Sequence, residues 1–122
     1  MSAAGPGASA PVAARRGKEG MGVVLLEILL SRGLIEPREI PDLLRAVESR
    51  VPAGGTDGVI LSGRLPVWAF AALAHLFHPR PWVGTFDPRL GGGVVVMSHD
   101  PNGPSVGDLV STDGATVVTV EF

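Results

Sequence analysis

The sequence predicts an α/β fold in which a parallel or mixed sheet is covered by helices. Short apolar runs typical of buried strands alternate with two helical segments that each begin at a proline. The chain has 122 residues, which suits one domain, and 45% of them are hydrophobic, which is enough for a core. Residues 1–20 are rich in Ala, Gly, Pro and Ser without apolar periodicity, so we expect a disordered tail followed by a domain over residues 21–122.

The individual elements follow from local patterns. A strand is predicted over 23–30, where a dense apolar run begins with β-branched residues and is followed by Gly33. An amphipathic helix is predicted from Pro41 to Arg50, and a second helix from Val67 to Phe77. The second helix is apolar nearly all round, which predicts burial between layers or at a subunit contact. Further strands are predicted at 58–63, 82–86, 93–98 and 116–120.

Composition excludes several classes of function. The chain has no cysteine, which rules out disulfides, zinc–thiolate sites, iron–sulfur clusters and thiol catalysis. Ten basic residues stand against twelve acidic ones, and three of the ten lie in the predicted tail, so binding of duplex DNA is disfavoured. The apolar run over 21–30 is too short to span a membrane and contains Glu27. We therefore expect a cytoplasmic protein with no membrane contact and no export signal.

Polar residues follow three of the predicted strands. These groups are Ser62-Gly63-Arg64, Asp87 with Arg89, and Ser98-His99. Ligands of open α/β sheets bind at the carboxyl ends of the strands, so the three groups converge on one edge if their strands are parallel. His75 and His78 are spaced i, i+3 and share one face of the second helix near its end.

Each group also has a structural explanation. His75 and His78 are suited to interact with the helix C-terminus, and Asp87-Pro88 is a common turn opener. Arg64 and Arg89 suit surface ion pairs, and both tryptophans, Trp68 and Trp82, suit a core or interface better than a base-stacking surface. The HxxH spacing followed by an aspartate is a weak metal motif because it lacks the HExxH form.

Taken together, four segments resemble a known family. They are residues 59–68, 78–79, 83–92 and 94–99, with their spacings kept over some 44 residues. This stretch resembles the type III CRISPR-associated ring nucleases, which are related to the CRISPR-associated Rossmann-fold sensors. The resemblance implies a small Rossmann-like domain.

The resemblance also implies an activity and a set of site residues. It implies a manganese-dependent ribonuclease that cleaves cyclic tetra-adenylate and thereby switches off type III CRISPR signalling. The protein would be a homodimer, and two dimers would sandwich the ring so that sites are completed across subunits. The implied catalytic set is His78, Asp87, Arg89 and His99. The implied ligand-binding set is Ser62, Gly63, Arg64, Pro66 and Ser98, and the implied metal ligands are His78 and Asp87.

Other functions stay open on the sequence alone. One is a module that binds cyclic oligoadenylate or short RNA without cutting it, and another is a manganese-dependent exonuclease that trims RNA 3′ ends. An unrelated metal phosphohydrolase and a purely structural subunit are the remaining alternatives. Linear products from cyclic tetra-adenylate would distinguish the nuclease from the binding module, and activity on simple phosphomonoesters would favour the phosphohydrolase.

Overall fold

Six strands and two helices make up residues 22–122, the part of the chain that the computed structural model describes; the tail predicted at 1–20 lies outside the described residues. The strands are β1 (Val23–Leu29), β2 (Gly58–Gly63), β3 (Trp82–Asp87), β4 (Gly92–Ser98), β5 (Leu109–Val110) and β6 (Thr116–Glu121). The helices are α1 (Ile40–Glu48) and α2 (Val67–Leu76), and a short 3-10 turn at Pro37–Glu39 leads into α1. All the predicted elements are present, while β5 and the 3-10 turn were not predicted.

The six strands form one mixed sheet in the order β5-β4-β3-β2-β1-β6. Strands β3, β2, β1 and β6 are parallel neighbours, whereas β4 is antiparallel to β3 and β5 is antiparallel to β4. The antiparallel direction of β4 follows from its short connection to β3. A parallel crossover needs a dozen or more residues, and only residues 88–91 join these two strands.

Both helices cover the same face of the sheet. Each belongs to a crossover between parallel neighbours, and their inner residues share one core. Such crossovers are right-handed almost without exception, so successive crossovers in one direction place their helices on one side. The core on this side joins alternate residues of the strands to the inner faces of both helices. Its fully buried side chains include Leu26, Ile28, Leu43, Val47, Val59, Leu61, Leu73, Phe77 and Val83.

A second, smaller core fills the other face of the sheet. It consists of Val23, Ile60, Trp82, Val95 and Val110, with Ala115 packed against it. Residues 111–115 connect β5 to β6 at the opposite edge. In a flat sheet, β5 and β6 would lie five strand spacings apart, which is about 24 Å. The connecting chain makes six residue steps from residue 110 to residue 116 and reaches at most about 22 Å. The sheet is therefore curled, with the second core on its concave side.

The outer surface of α2 remains apolar. Ala69 and Leu73 are buried against the sheet, but Val67 is 84% exposed and Trp68 is 38% exposed. Trp82, in contrast, is buried in the second core. Neither helix within residues 22–122 has the length and hydrophobicity needed to cross a bilayer.

Candidate functional site

A cavity of about 590 Å³ opens where β1, β2 and β3 end. Ile28, Leu29, Leu30 and Phe86 give it apolar walls, and Ser62 and Arg64 give it polar groups. Gly33, Gly63 and Pro88 complete the lining. The carboxyl edge of parallel strands is where α/β sheets bind ligands, and an arginine beside apolar walls suits a ligand that carries both an anion and a flat apolar group.

Glycine at position 63 allows β1 and β2 to approach each other at this cavity. The φ angle of Gly63 is +148°, and a Cβ atom there would lie 2.7 Å from the carbonyl oxygen of Ile28. A side chain at position 63 would therefore push the strand ends apart. The loop that follows carries Arg64 and ends at Pro66, the extended residue before the first turn of α2.

Asp87 and Arg89 form a closed pair beside the same cavity. One Asp87 carboxylate oxygen accepts hydrogen bonds from the Arg89 backbone N–H at 2.9 Å and from Nε at 3.3 Å; the other accepts from Nη2 at 3.0 Å. The guanidinium and then the backbone N–H lower the pKa of the Asp87 carboxyl, and the carboxylate raises the pKa of Arg89. At neutral pH the pair is fully ionised, and Arg89, exposed at its far side, presents positive charge to solvent.

His78 and His99 form a second cluster. Their rings meet edge to face with centroids 4.8 Å apart. Nε2 of His99 lies 3.0 Å from the carbonyl oxygen of His78. Because a carbonyl oxygen only accepts, this bond requires the proton on Nε2 and leaves Nδ1 of a neutral His99 as the acceptor. Both side chains are exposed, so a ligand can reach them.

The two clusters lie at opposite ends of β3. Asp87 is the last residue of β3, whereas the backbone N–H of His99 donates to the carbonyl oxygen of Pro81, just before the strand begins. Six residues of extended chain place these ends roughly 17 Å apart. One protomer therefore carries an arginine–carboxylate edge beside the cavity and a histidine edge at the far side of the sheet.

Comparison with known proteins places the chain in a family. The profile of the family described as "CRISPR-associated protein (Cas_csx3)" matches residues 30–111, which is more than half of the chain. The chain belongs to this family. The matched residues include both clusters and all of the cavity lining except Ile28 and Leu29, and the CRISPR association suggested by the sequence is confirmed.

A relative in Aquifex aeolicus (strain VF5), described as an uncharacterized protein, is 52% identical to this chain over 56 residues. The alignment covers 46% of this chain and 50% of the relative. The chain thus matches about half the length of that relative, and the similarity adds no activity of its own.

The structure brings together some of the predicted site residues and separates others. Ser62, Gly63, Arg64 and Pro66 share one edge with Asp87 and Arg89. Ser98 and His99 do not join them there, because the parallel direction on which that expectation depended is absent: β4 is antiparallel and ends at the other edge. Ser98 pairs with the start of β3, and its hydroxyl donates to the carbonyl oxygen of Pro104 at 2.7 Å.

The distance between His78 and Asp87 decides whether one protomer can hold the expected manganese ion. His78 and Asp87 belong to different edges of one protomer and cannot ligate one ion there. No group of three or more His, Cys, Asp or Glu side chains in residues 22–122 is arranged to hold a metal. The residues of a single protomer therefore do not fit a manganese ion, and the chemistry derived below has no step through a metal.

Sequence reasoning missed one residue close to the histidine cluster. Arg80 lies two residues after His78 and is only 5% exposed. Its partners are backbone oxygens of Pro52 and Asp57, far away in the chain, so no local pattern points to its burial.

Proposed function

We propose that this protein is a ring nuclease that binds and cleaves cyclic tetra-adenylate and thereby switches off type III CRISPR signalling. The proposal combines membership of a CRISPR-associated family with two reactive edges that face away from each other. Its active site is completed between protomers, with Asp87 and Arg89 from one and His78 and His99 from another. In a homodimer, and in a pair of dimers around the ring, the carboxylate edge of one protomer faces the histidine edge of another.

The division of the clusters along β3 carries this proposal. A cyclic tetranucleotide is small and symmetric, and a domain of this size cannot enclose it alone. Stacking the histidine edge of one protomer on the cavity edge of another brings both halves to the same phosphate. The symmetry of the ring then matches a symmetric assembly of the protein.

The chemistry of the two edges suits cleavage at a ribose with a free 2′-hydroxyl. One histidine of the pair accepts the 2′-hydroxyl proton while O2′ forms a bond to the adjacent phosphorus. The bond from phosphorus to O5′ breaks, and the other histidine, protonated, donates a proton to the leaving oxygen. Arg89 stabilises the non-bridging oxygens with its planar fork, and Asp87 holds that fork in place. The products are a 2′,3′-cyclic phosphate and a 5′-hydroxyl.

The polar groups at the cavity suit binding of the ring. Within residues 22–122 Arg64 makes no ion pair or hydrogen bond, and it is exposed at the cavity, so its guanidinium is available to a phosphate. Ser62 supplies a hydroxyl at the end of β2, and the apolar walls suit an adenine face.

The test is to incubate purified protein with cyclic tetra-adenylate, with and without manganese, and to separate the products by chromatography. We expect linear products, and we expect His78→Gln to abolish them without loss of binding. His75→Gln is the matched control, because His75 is an exposed histidine on α2 whose only bond to the pair within residues 22–122 is from its backbone oxygen, which accepts from the His78 N–H at 3.2 Å and is kept in the variant. Binding without any product, in either metal condition, overturns the nuclease proposal.

A binding module is the second candidate, and the Asp87–Arg89 pair favours it. In one protomer this pair satisfies itself with three hydrogen bonds, and both histidines of the second cluster lie at the other end of β3. Such a module binds the ring through Arg64 and Arg89 and forms no product. The wild-type protein distinguishes the two candidates, because a binding module binds the ring and leaves it uncut even when His78 is intact.

A further inference from the structure

A buried arginine lies directly behind the histidine cluster. Arg80 follows α2 in the connection to β3, and its side chain is almost completely removed from solvent. Taking a charged guanidinium out of water is costly unless hydrogen bonds replace its hydration. The arrangement around Arg80 therefore indicates a specific structural role.

The guanidinium binds two carbonyl oxygens of the connection between α1 and β2. Nη2 and Nε donate to the Pro52 oxygen at 2.7 and 3.2 Å, and Nη1 donates to the Asp57 oxygen at 3.3 Å. The guanidinium also lies 6.0 Å from the centroid of the Phe77 ring. Three donors of one planar group thus fix residues 52 and 57 relative to the end of α2.

The connection between α1 and β2 is shaped to receive this group. A Cβ atom on Gly55 would lie 2.5 Å from Nη1 of Arg80. The backbone at position 55 therefore packs directly on the guanidinium, and only glycine permits that approach.

The opposite side of the same short segment carries the histidines. His99 donates from Nε2 to the His78 oxygen at 3.0 Å and from its backbone N–H to the Pro81 oxygen at 2.8 Å. These two oxygens flank Arg80 in the chain. Residues 78–81 are therefore held by His99 on the outside and by the Arg80 side chain on the inside.

We infer that Arg80 is a positioning residue that fixes the edge-to-face geometry of His78 and His99. It touches neither ring; it acts through the backbone of residues 78–81. For catalysis this inference rests on the proposed function, because only a reaction at the histidines makes their geometry matter. A displacement of about 1 Å in a catalytic group can cost about a hundredfold in rate.

The experiment compares Arg80→Lys with wild type. Lysine keeps the charge and most of the stem but lacks the fork that binds two carbonyl oxygens. At one fixed pH we expect altered ring-proton chemical shifts of both His78 and His99. With cyclic tetra-adenylate we expect kcat to fall by about a hundredfold while KM changes by less than about twofold.

Two further variants keep the test decisive. Gly55→Ala leaves Arg80 in place but displaces its guanidinium, so it is expected to shift the same histidine signals even if Arg80→Lys does not fold. Arg50→Ala is the matched control: the Arg50 side chain also donates to a distant carbonyl, that of Thr119 at 3.1 Å, yet among the described residues it makes no hydrogen bond or ion pair with residues 78–81. The control is expected to leave the histidine signals and kcat unchanged.

The chemical shifts need no substrate, so they judge the inference separately from the proposed function. If wild type forms no product, the nuclease proposal fails while the shifts still decide the role of Arg80. Histidine shifts identical to wild type in folded Arg80→Lys and Gly55→Ala overturn the inference. A higher KM at unchanged kcat in Arg80→Lys overturns it as well, because that result assigns Arg80 to binding.

Discussion

Mixing two inactive variants tests whether the active site is divided between protomers. His78→Ala removes a group from one edge of the sheet and Asp87→Ala from the other, roughly 17 Å away along β3. Each variant alone is expected to form no product, because every site needs both halves. In an equal mixture with free exchange of subunits, the histidine edge is intact in half of the sites and the carboxylate edge is independently intact in half of them. Both edges are therefore intact in about a quarter of the sites, and about a quarter of the wild-type rate is expected to return.

The assay measures the initial rate of linear product formation from saturating cyclic tetra-adenylate at equal total protein after subunit exchange. In the control, the double variant His78→Ala/Asp87→Ala replaces either single variant in the mixture. This removes the last intact copy of one half and is expected to leave only background. If the mixture of single variants also stays at background, although both are folded and bind the ring, a site divided between protomers is refuted.

Two further predictions concern the fold and the carboxylate edge. Gly58→Ala is expected to lower the free energy of unfolding by about 1–3 kcal/mol, and with it Tm, because the new Cβ would lie 2.0 Å from the Trp82 indole. In the control Gly54→Ala, the nearest side-chain atom would be 3.9 Å from the new Cβ. Equal Tm values for the two variants would contradict the packing. NMR is expected to show the Asp87 carboxyl with a pKa below the ordinary aspartate value and to show that pKa rising in Arg89→Ala. The pKa of Asp87 is lower in the folded protein than in the unfolded chain, so the pair stabilises the protein at pH values above the ordinary aspartate pKa, and this stabilisation is lost as the pH falls through the folded pKa. An Asp87 pKa that does not change in Arg89→Ala would contradict this assignment.

Most elements of the fold could be predicted from the sequence, because their signals are local. Proline near the start of each helix and dense apolar runs between glycine-rich turns mark α1, α2 and five of the strands. Strand β5 has only two residues, which are too few to show the alternation of apolar and polar residues that predicts a strand. The direction of β4 was within reach, since four connecting residues permit a hairpin and no crossover.

The grouping of some polar residues at the cavity could be predicted from the sequence, but the full arrangement of the candidate site could not. Grouping Ser62, Arg64 and Asp87 at one edge required only that β2 and β3 be parallel, which they are. Placing His99 required the direction of β4, and finding Arg80 required contacts with residues 52 and 57 that no local pattern contains. Tertiary contacts of this kind depend on the whole sheet.

The place of β6 in the sheet determines when the protein can complete its fold during synthesis. Val24 of β1 pairs with Val59 of β2 on one side and with Thr116 of β6 on the other. Until β6 leaves the ribosome, β1 is therefore an open sheet edge with apolar residues, the kind of edge that pairs with other chains. Closing so distant a pair in sequence is slow, so a chaperone that shields β1 is expected to raise the yield of folded protein.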